Sequence, residues 1–426
     1  MKILVVGGGG REHTIIHSLA KSPETPEIFC APGNGGISKL AKCVDIKATD
    51  IDSMVAFAKE NNIDLTVVAP DDPLVLGMVD RFEAEGLRAF GPRANAAIIE
   101  GSKVFSKELM KKYGIPTAKY EVFSDAEAAL EYVRNTTYPT VVKAEGLALG
   151  KGVIIANDRE EAEGAVREIM EDKAFGDAGN RIVVEEFLTG QEVSVLAFTD
   201  GKTLVPMVSA QDHKRALDGD KGLNTGGMGT FSPSRLYTKE IHEECMKNIF
   251  MPTMDAMNKE GRTFCGVLYF GLIMTADGVK VIEYNARFGD PETQVVLPRL
   301  KTDLLTIFNA IIDGKLSEVE VEWEDNAAVC VVLASGGYPK DYKKGYEITG
   351  IDDAEALGDI MVFHAGTAVN DNAFTTNGGR VLGVTAVGKD LDSAIRHAYE
   401  GVSKISFTDM HYRKDIGIKY RDITRE

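Results

Sequence analysis

Lys2-Ile-Leu-Val-Val6, running into Gly7-Gly-Gly-Gly10 and Arg11-Glu12-His13, sets the fold class at the start of the chain. A short β-branched run ends in a glycine turn and feeds a helical stretch from Thr14 to Lys21. Strand, glycine turn, helix is the opening unit of a doubly wound α/β sheet. Glycines let the backbone approach a phosphate, and the following helix offers free N–H groups and the positive end of its dipole. A dinucleotide fingerprint would continue to a third glycine, where Glu12 stands, and to an acid after the second strand, where Cys30-Ala31-Pro32 stands. NAD is therefore disfavoured, which leaves a small phosphate ligand or a purely structural turn.

Further strand-like runs follow at Glu27–Ala31, Leu65–Ala69 and Leu87–Phe90, with a helical segment at Ile51–Asn61 between them. Pro92 to about Gly101 reads as a boundary. A second mixed region extends to about Glu322, with strands expected at 140–144, 152–156, 181–185, 193–199 and 266–274. Asp277-Gly278 before Val279–Glu283 is a hairpin signal. The acidic stretch Glu318–Asp325 reads as a linker into a C-terminal domain rich in β runs and glycine turns. The expected division is 1–101, an α/β domain; 102–322, with a smaller subdomain near 122–192; and 323–426.

With 426 residues, 44% hydrophobic and 27% charged, the chain has the balance of an ordinary soluble globular protein of two to four domains. A net charge of −17 argues against a nucleic-acid surface, so any positive charge that holds an anionic substrate must be local. Five scattered cysteines without CxxC spacing suggest neither a zinc site nor a disulfide framework. No apolar run is long enough to span a membrane, and Met1-Lys2 leads directly into a strand, so the cytoplasm is the expected location.

The stretch richest in chemistry is Val281-Ile-Glu283-Tyr-Asn285-Ala-Arg287-Phe-Gly-Asp290-Pro-Glu292-Thr-Gln294. On a strand, Glu283, Asn285 and Arg287 share one face, while Ile282, Tyr284 and Ala286 turn away. A carboxylate, an amide oxygen and a guanidinium in a row suit a hard divalent cation beside an anion. Asp290, Pro291 and Glu292 add acids in the next turn, although a solvated polar strand face would also read this way.

Three more constellations accompany it. Lys143 ends a strand before a Gly-rich loop with Gly150, Lys151 and Gly152, which lacks the P-loop spacing. Such a loop can cover a triphosphate with backbone N–H groups and lysine charge, or be a plain hairpin; Lys103 is a further phosphate cation. Glu185-Glu186-Phe187-Leu188 through Glu192 can clamp a base between apolar groups and hold ribose hydroxyls, or be surface glutamates. Between Gln211 and Gly229 runs a polar, glycine-rich stretch expected to lack regular structure. In it Asp212 suits a substrate ammonium, and Lys214 and Arg215 an oxyanion. His213 reads as a base or, more readily, a structural residue.

In this order the segments resemble the ATP-grasp superfamily, and within it the phosphoribosylamine–glycine ligase family. The resemblance runs from Gly7–His13 through Ala31–Gly35, Phe90–Pro92, Glu100–Lys103, Gly114–Thr117 and Lys143–Val153 to Gln211–Arg215, Asn224–Gly229 and Arg287–Gln294. It ends in Ser335–Pro339, Thr376–Arg380 and Arg413–Gly417. It implies an N-terminal doubly wound α/β domain, an ATP-grasp body with a mobile lid, and a β-rich C-terminal domain. It also implies ligation of glycine to 5-phosphoribosylamine with ATP and Mg2+ or Mn2+, by a monomer or weak homodimer with no nucleic-acid or membrane partner.

Carried onto this chain, the resemblance puts ATP on Lys103, Lys143, Gly150, Lys151, Gly152, Glu185, Phe187, Leu188 and Glu192, and the metal on Glu283 and Asn285. Asp212, Lys214 and Arg287 become catalytic, Asp212 and Arg287 by holding glycine. Gly8, Gly9, Gly10, Asp290, Pro291 and Glu292 surround the phosphoribosyl group. The chain departs from the family pattern at Gly8, where Asn is usual, at Ala69-Pro70-Asp71-Asp72-Pro73, and at Glu145, where Asp is commoner. Rival readings are an ATP-grasp ligase that activates bicarbonate or formate, and a regulatory protein that binds ATP without turnover.

Overall fold

A computed structural model describes residues 1–24, 27–147 and 152–418. The first strand, Lys2–Gly7, lies at the centre of a five-stranded parallel sheet whose order is 42–43, 27–32, 2–7, 65–68, 89–90. Its side chains are buried on both faces: Leu4 and Val6 in one core cluster, Ile3 and Val5 in another. That explains a continuous apolar run in place of alternation. The helix after the turn spans Gly10–Leu19 and begins earlier than Thr14, because Glu12 caps it by accepting from Gly9 N–H at 2.6 Å.

The expected boundary segment at 92–101 contains the helix Ala94–Gly101, which buries Glu100. A four-stranded antiparallel sheet of Tyr120–Phe123, Ile182–Glu186, Thr140–Ala144 and Val153–Ala156 follows in that spatial order. It has its own small core with the helices Ala126–Arg134 and Arg159–Val166. A second four-stranded sheet pairs Leu204–Pro206, Gln191–Thr199, Gly266–Thr275 and Gly278–Asn285, and the last two form the expected hairpin.

The stretch from Gln211 to Gly229 is not structureless, contrary to its composition. Gln211–Asp212 and Gly229–Ser232 pair with each other, and Arg215–Leu217 pairs with Lys221–Asn224 in a hairpin between them. Gly229–Ser232 also pairs with Ala327–Ala334, so this stretch enters the C-terminal five-stranded sheet with Arg380–Gly388 and Ile360–His364. Among the described residues no helix is long and apolar enough to cross a membrane.

Candidate active site

The strand Gly278–Asn285 carries the centre of the site. Val279 and Val281 are buried, and so are Tyr284 and Ala286, which puts the buried positions out of phase with simple alternation. The reason is a bulge: Gly271 pairs with Glu283 but Leu272 pairs with Val281. Ile282 therefore does not share the face of Tyr284 and Ala286, as strict alternation had implied. The extra residue re-aims Glu283 and Asn285 off the core, a common use of bulges beside functional sites.

Arg287 lies just past the strand. Its Nη2 donates to Asn285 Oδ1 at 3.4 Å and pairs with Glu100 Oε1 at 2.8 Å and Asp71 Oδ2 at 3.7 Å. Glu283 faces Lys214 Nζ at 3.8 Å, and the same ammonium reaches Glu192 Oε2 at 3.2 Å. Burial pushes the Glu283 carboxyl up, but Lys214, Lys143, Lys103 and Arg287 together outweigh it and hold it below the usual range. The Glu192 and Asp212 carboxylates keep Lys214 firmly protonated against the cost of its burial.

The lysine group is built on two elements. Lys103 opens the helix Lys103–Tyr113 and donates to Gly146 O at 3.0 Å. Lys143, at the end of its strand, pairs with Glu185 Oε2 at 3.0 Å. Lys107, one helical turn after Lys103, reaches the same oxygen at 3.1 Å. Glu185, expected at a nucleoside, thus sits against two buried ammoniums. Gly150 and Lys151 lie outside the described residues; Gly152 O accepts from Ala144 N–H at 2.8 Å. Phe187 is exposed and Leu188 half-buried in the link to Glu192.

The glycine turn faces the Asp290–Glu292 loop. Arg11 N–H points at Asp290 Oδ2 at 3.4 Å, and Gly8 O accepts from Asn34 Nδ2 at 2.9 Å. A Cβ on Gly8 would stand 2.4 Å from Gly33 O, so the usual Asn would need the Gly8 or Gly33 backbone to shift. The C-terminal domain closes this end: Arg380 Nη1 donates to Asp290 O at 2.8 Å and Gly226 O at 2.7 Å, and stands 3.5 Å from Asp290 Oδ1. Pro291 packs under Gly227, whose added Cβ would meet it at 2.5 Å.

Glu292 is buried and accepts from Tyr269 OH at 3.1 Å; Tyr269 OH in turn lies 2.6 Å from Ser194 Oγ. Burial pushes Asp212 up to about 7 despite Lys214, with Glu292, Glu192 and Glu283 adding to the effect. His213 is buried, accepts from Gly417 N–H through Nε2 at 3.3 Å, and burial lowers it to about 4. It is a structural residue. Arg215 donates to Gly222 O at 2.9 Å within its hairpin.

Among the described residues no group of three or more His, Cys, Asp or Glu forms a metal cage. The donor set of Glu283 and Asn285 nonetheless fits Mg2+ or Mn2+. Such ions take one or two protein oxygens and complete their shell with waters and substrate phosphates. Sequence reasoning missed Glu100, Lys107, Tyr269 and Arg380 as parts of the site. Glu100 and Arg380 lie at the ends of the resembling segments Glu100–Lys103 and Thr376–Arg380, which was a readable signal, whereas Lys107 and Tyr269 lie in none.

Three family models match consecutively: the phosphoribosylglycinamide synthetase N domain over residues 1–100, its ATP-grasp (A) domain over 101–293 and its C domain over 328–419. The phosphoribosylamine–glycine ligase of Halalkalibacterium halodurans is 51% identical over 98% of this chain and 97% of its own length. The trifunctional purine biosynthetic protein adenosine-3 of Gallus gallus is 50% identical, and the chain spans 42% of it. The crystal structure of the phosphoribosylamine–glycine ligase from Thermotoga maritima superposes with a TM-score of 0.84 at 33% identity, over 98% of this chain and all of that one. A biotin carboxylase from Campylobacter jejuni, at 12% identity and a TM-score of 0.75, shares the fold alone. With all three of its domains matched in order, the chain belongs to the phosphoribosylamine–glycine ligase family of ATP-grasp enzymes of purine biosynthesis.

Proposed function

We propose that the chain joins glycine to 5-phosphoribosylamine through glycyl phosphate, consuming ATP and releasing ADP and phosphate, with the residues above in defined roles. The observation that carries this reading is the bulged strand end. There Glu283 pairs with Lys214, Arg287 meets Asn285 and Glu100, and Lys143, paired with Glu185, approaches Ile282 O at 3.5 Å. Lys103, Lys143 and Lys151, with Gly150 and Gly152, bind the ATP phosphates. Glu185, Phe187, Leu188 and Glu192 hold the nucleoside.

Mg2+ or Mn2+, held by Glu283 and Asn285, supplies charge to the phosphates when bound. Arg287 positions the glycine carboxylate, and Asp212 pairs with its ammonium. A carboxylate oxygen attacks the γ-phosphorus and ADP departs. The amine of phosphoribosylamine then attacks the acyl carbon, expels phosphate and loses a proton. Lys214 exchanges its Glu192 and Glu283 contacts for the charge that develops on the transferred group. Gly8, Gly9 and Gly10, with Asp290, Pro291 and Glu292, receive the phosphoribosyl group. No enzyme nucleophile is required, so catalysis is positioning, electrostatics and exclusion of water.

The division into 1–101, 102–322 with a lid near 122–192, and 323–426 goes with this reading, as do a cytoplasmic location and a monomer or weak homodimer. The test is ADP release with Mg-ATP, glycine and phosphoribosylamine formed in situ from ribose 5-phosphate and ammonia. Release that needs both substrates, with glycinamide ribonucleotide found by mass, is the expected result. Release with bicarbonate or formate in place of glycine would overturn it.

A further inference from the structure

Lys107 is one of the most deeply sealed charged side chains in the molecule, 2% exposed, yet it belongs to a helix whose sequence reads as a surface helix. Its ammonium donates to Thr117 Oγ1 at 2.8 Å, and Thr117 Oγ1 donates onward to Val281 O at 2.7 Å, in the strand that carries Glu283. Its other partner is Glu185 Oε2 at 3.1 Å. Lys143 Nζ approaches the same oxygen at 3.0 Å, and Ile282 O at 3.5 Å. Glu185 Oε1 is buried with no hydrogen-bond partner among the described residues. Two ammoniums thus converge on one carboxylate oxygen in a nearly dry space, one more cation than that carboxylate balances, with Glu186 acting on Lys107 and Glu283 on Lys143 as the next carboxylates.

A buried pair of opposite charges balances itself, whereas a third buried charge needs a reason, because desolvation is costly. Burial pushes Lys107 down to about 8, and Glu185 supports its charged form against that cost, so it remains a cation at neutral pH. The ATP phosphates are expected beside Lys143 and Lys103. Lys143 cannot reach them without leaving Glu185. If it were the only counterion, its departure would strand a buried carboxylate, and the cost of doing so would tether it.

We infer that Lys107 is a positioning residue, a standing counterion that holds Glu185 so that Lys143 is free to move onto the ATP phosphates. This rests on the reading of Lys143 as a phosphate ligand. Lys107 touches no substrate; it acts through Glu185 on Lys143. In its absence Lys143 stays on Glu185 and the nucleotide loses a phosphate contact.

The test is calorimetric binding of Mg-ATP, without glycine, to the full chain, its Lys107→Met and Glu185→Gln variants and the Lys107→Met/Glu185→Gln double variant. Lys107→Met is expected to weaken Mg-ATP about tenfold or more. In the Glu185→Gln background the side chain needs no counterion, so most of the Lys107→Met loss is expected to disappear there, whatever Glu185→Gln itself costs the nucleoside. A purely structural role for Lys107 gives additive losses and no such rescue. Wild-type affinity in Lys107→Met, or a Lys107→Met loss as large in the Glu185→Gln background as in the parent, would overturn the inference. If Lys107→Met does not fold, a folded, ATP-binding double variant supports it, and a double variant that neither folds nor binds refutes it. Failure of the unmodified chain to bind Mg-ATP would instead overturn the functional reading itself.

Discussion

Arg287, part-buried, pairs with the buried Glu100, with Nη2 and Oε1 2.8 Å apart, and the second oxygen of Glu100 accepts from Ala286 N–H at 2.7 Å. One carboxylate therefore fixes both the guanidinium and the backbone that carries it. Burial raises the Glu100 carboxyl, with Arg287 opposing that shift. Glu100→Gln keeps the shape and removes the charge that aims Arg287. The expected outcome is a fall in kcat/KM for glycine of about tenfold, corresponding to about 1.4 kcal/mol, with Mg-ATP affinity unchanged. A variant with wild-type glycine kinetics would remove Glu100 from the positioning of Arg287.

Glu283→Ala should abolish turnover and leave the fold intact. The side chain is part-exposed and pairs with Lys214, so its loss leaves no core cavity. Thermal unfolding within a few degrees of the parent, together with at least a thousandfold loss in ADP release, is expected, in line with loss of charge stabilisation at a phosphoryl group. Full activity in this variant would discard the metal assignment.

The alternation that groups Glu283, Asn285 and Arg287 is legible because a strand has a fixed period, and the glycine turn because few other residues permit it. What the chain hides is tertiary. The bulge at Ile282 exists only through the pairing of Gly271 and Leu272 with different partners. The Gln211–Gly229 stretch looks unstructured because its glycines and charges carry weak β-propensity, and pairing with Gly229–Ser232 and Ala327–Ala334 overrides that. Lys107 and Glu100 look like helix-surface charges until Glu185 and Arg287 meet them.

Asp212 carries a prediction with a pH sign. Its carboxyl is raised to about 7 by burial, with Glu292, Glu192 and Glu283 adding to it against Lys214. Only the ionised form pairs with an ammonium, so kcat/KM for glycine should fall as pH drops through about 7. The stability sign is opposite: a raised carboxyl favours the fold below its ordinary value and loses that contribution as pH climbs to about 7. Asp212→Ala should raise the KM for glycine more than that for ATP and remove this limb of the profile. Equal effects on both substrates would end the ammonium role.

His13 ties the N-terminal helix to the C-terminal sheet: His364 N–H donates to its Nδ1 at 2.8 Å, and its ring packs edge-on against Phe363 at 5.8 Å. Burial lowers His13 to about 3, helped by the nearby His364, His17 and Lys39, and lowers His17 and His364 to about 4. These folded values lie below the ordinary 6.5, so the unfolded chain binds more protons in acid. Their contribution is complete above pH 6.5 and is lost as pH falls toward 4, at up to about 1.4 kcal/mol per pH unit for each histidine. His13→Asn keeps an acceptor for His364 N–H and deletes one titrating ring. Its unfolding free energy should fall less steeply between pH 6.5 and 5 than the parent's, by about one proton. Comparing the two proteins cancels the carboxylates that titrate in the same range. Parallel curves would show that this contact does not set the acid limit of the fold.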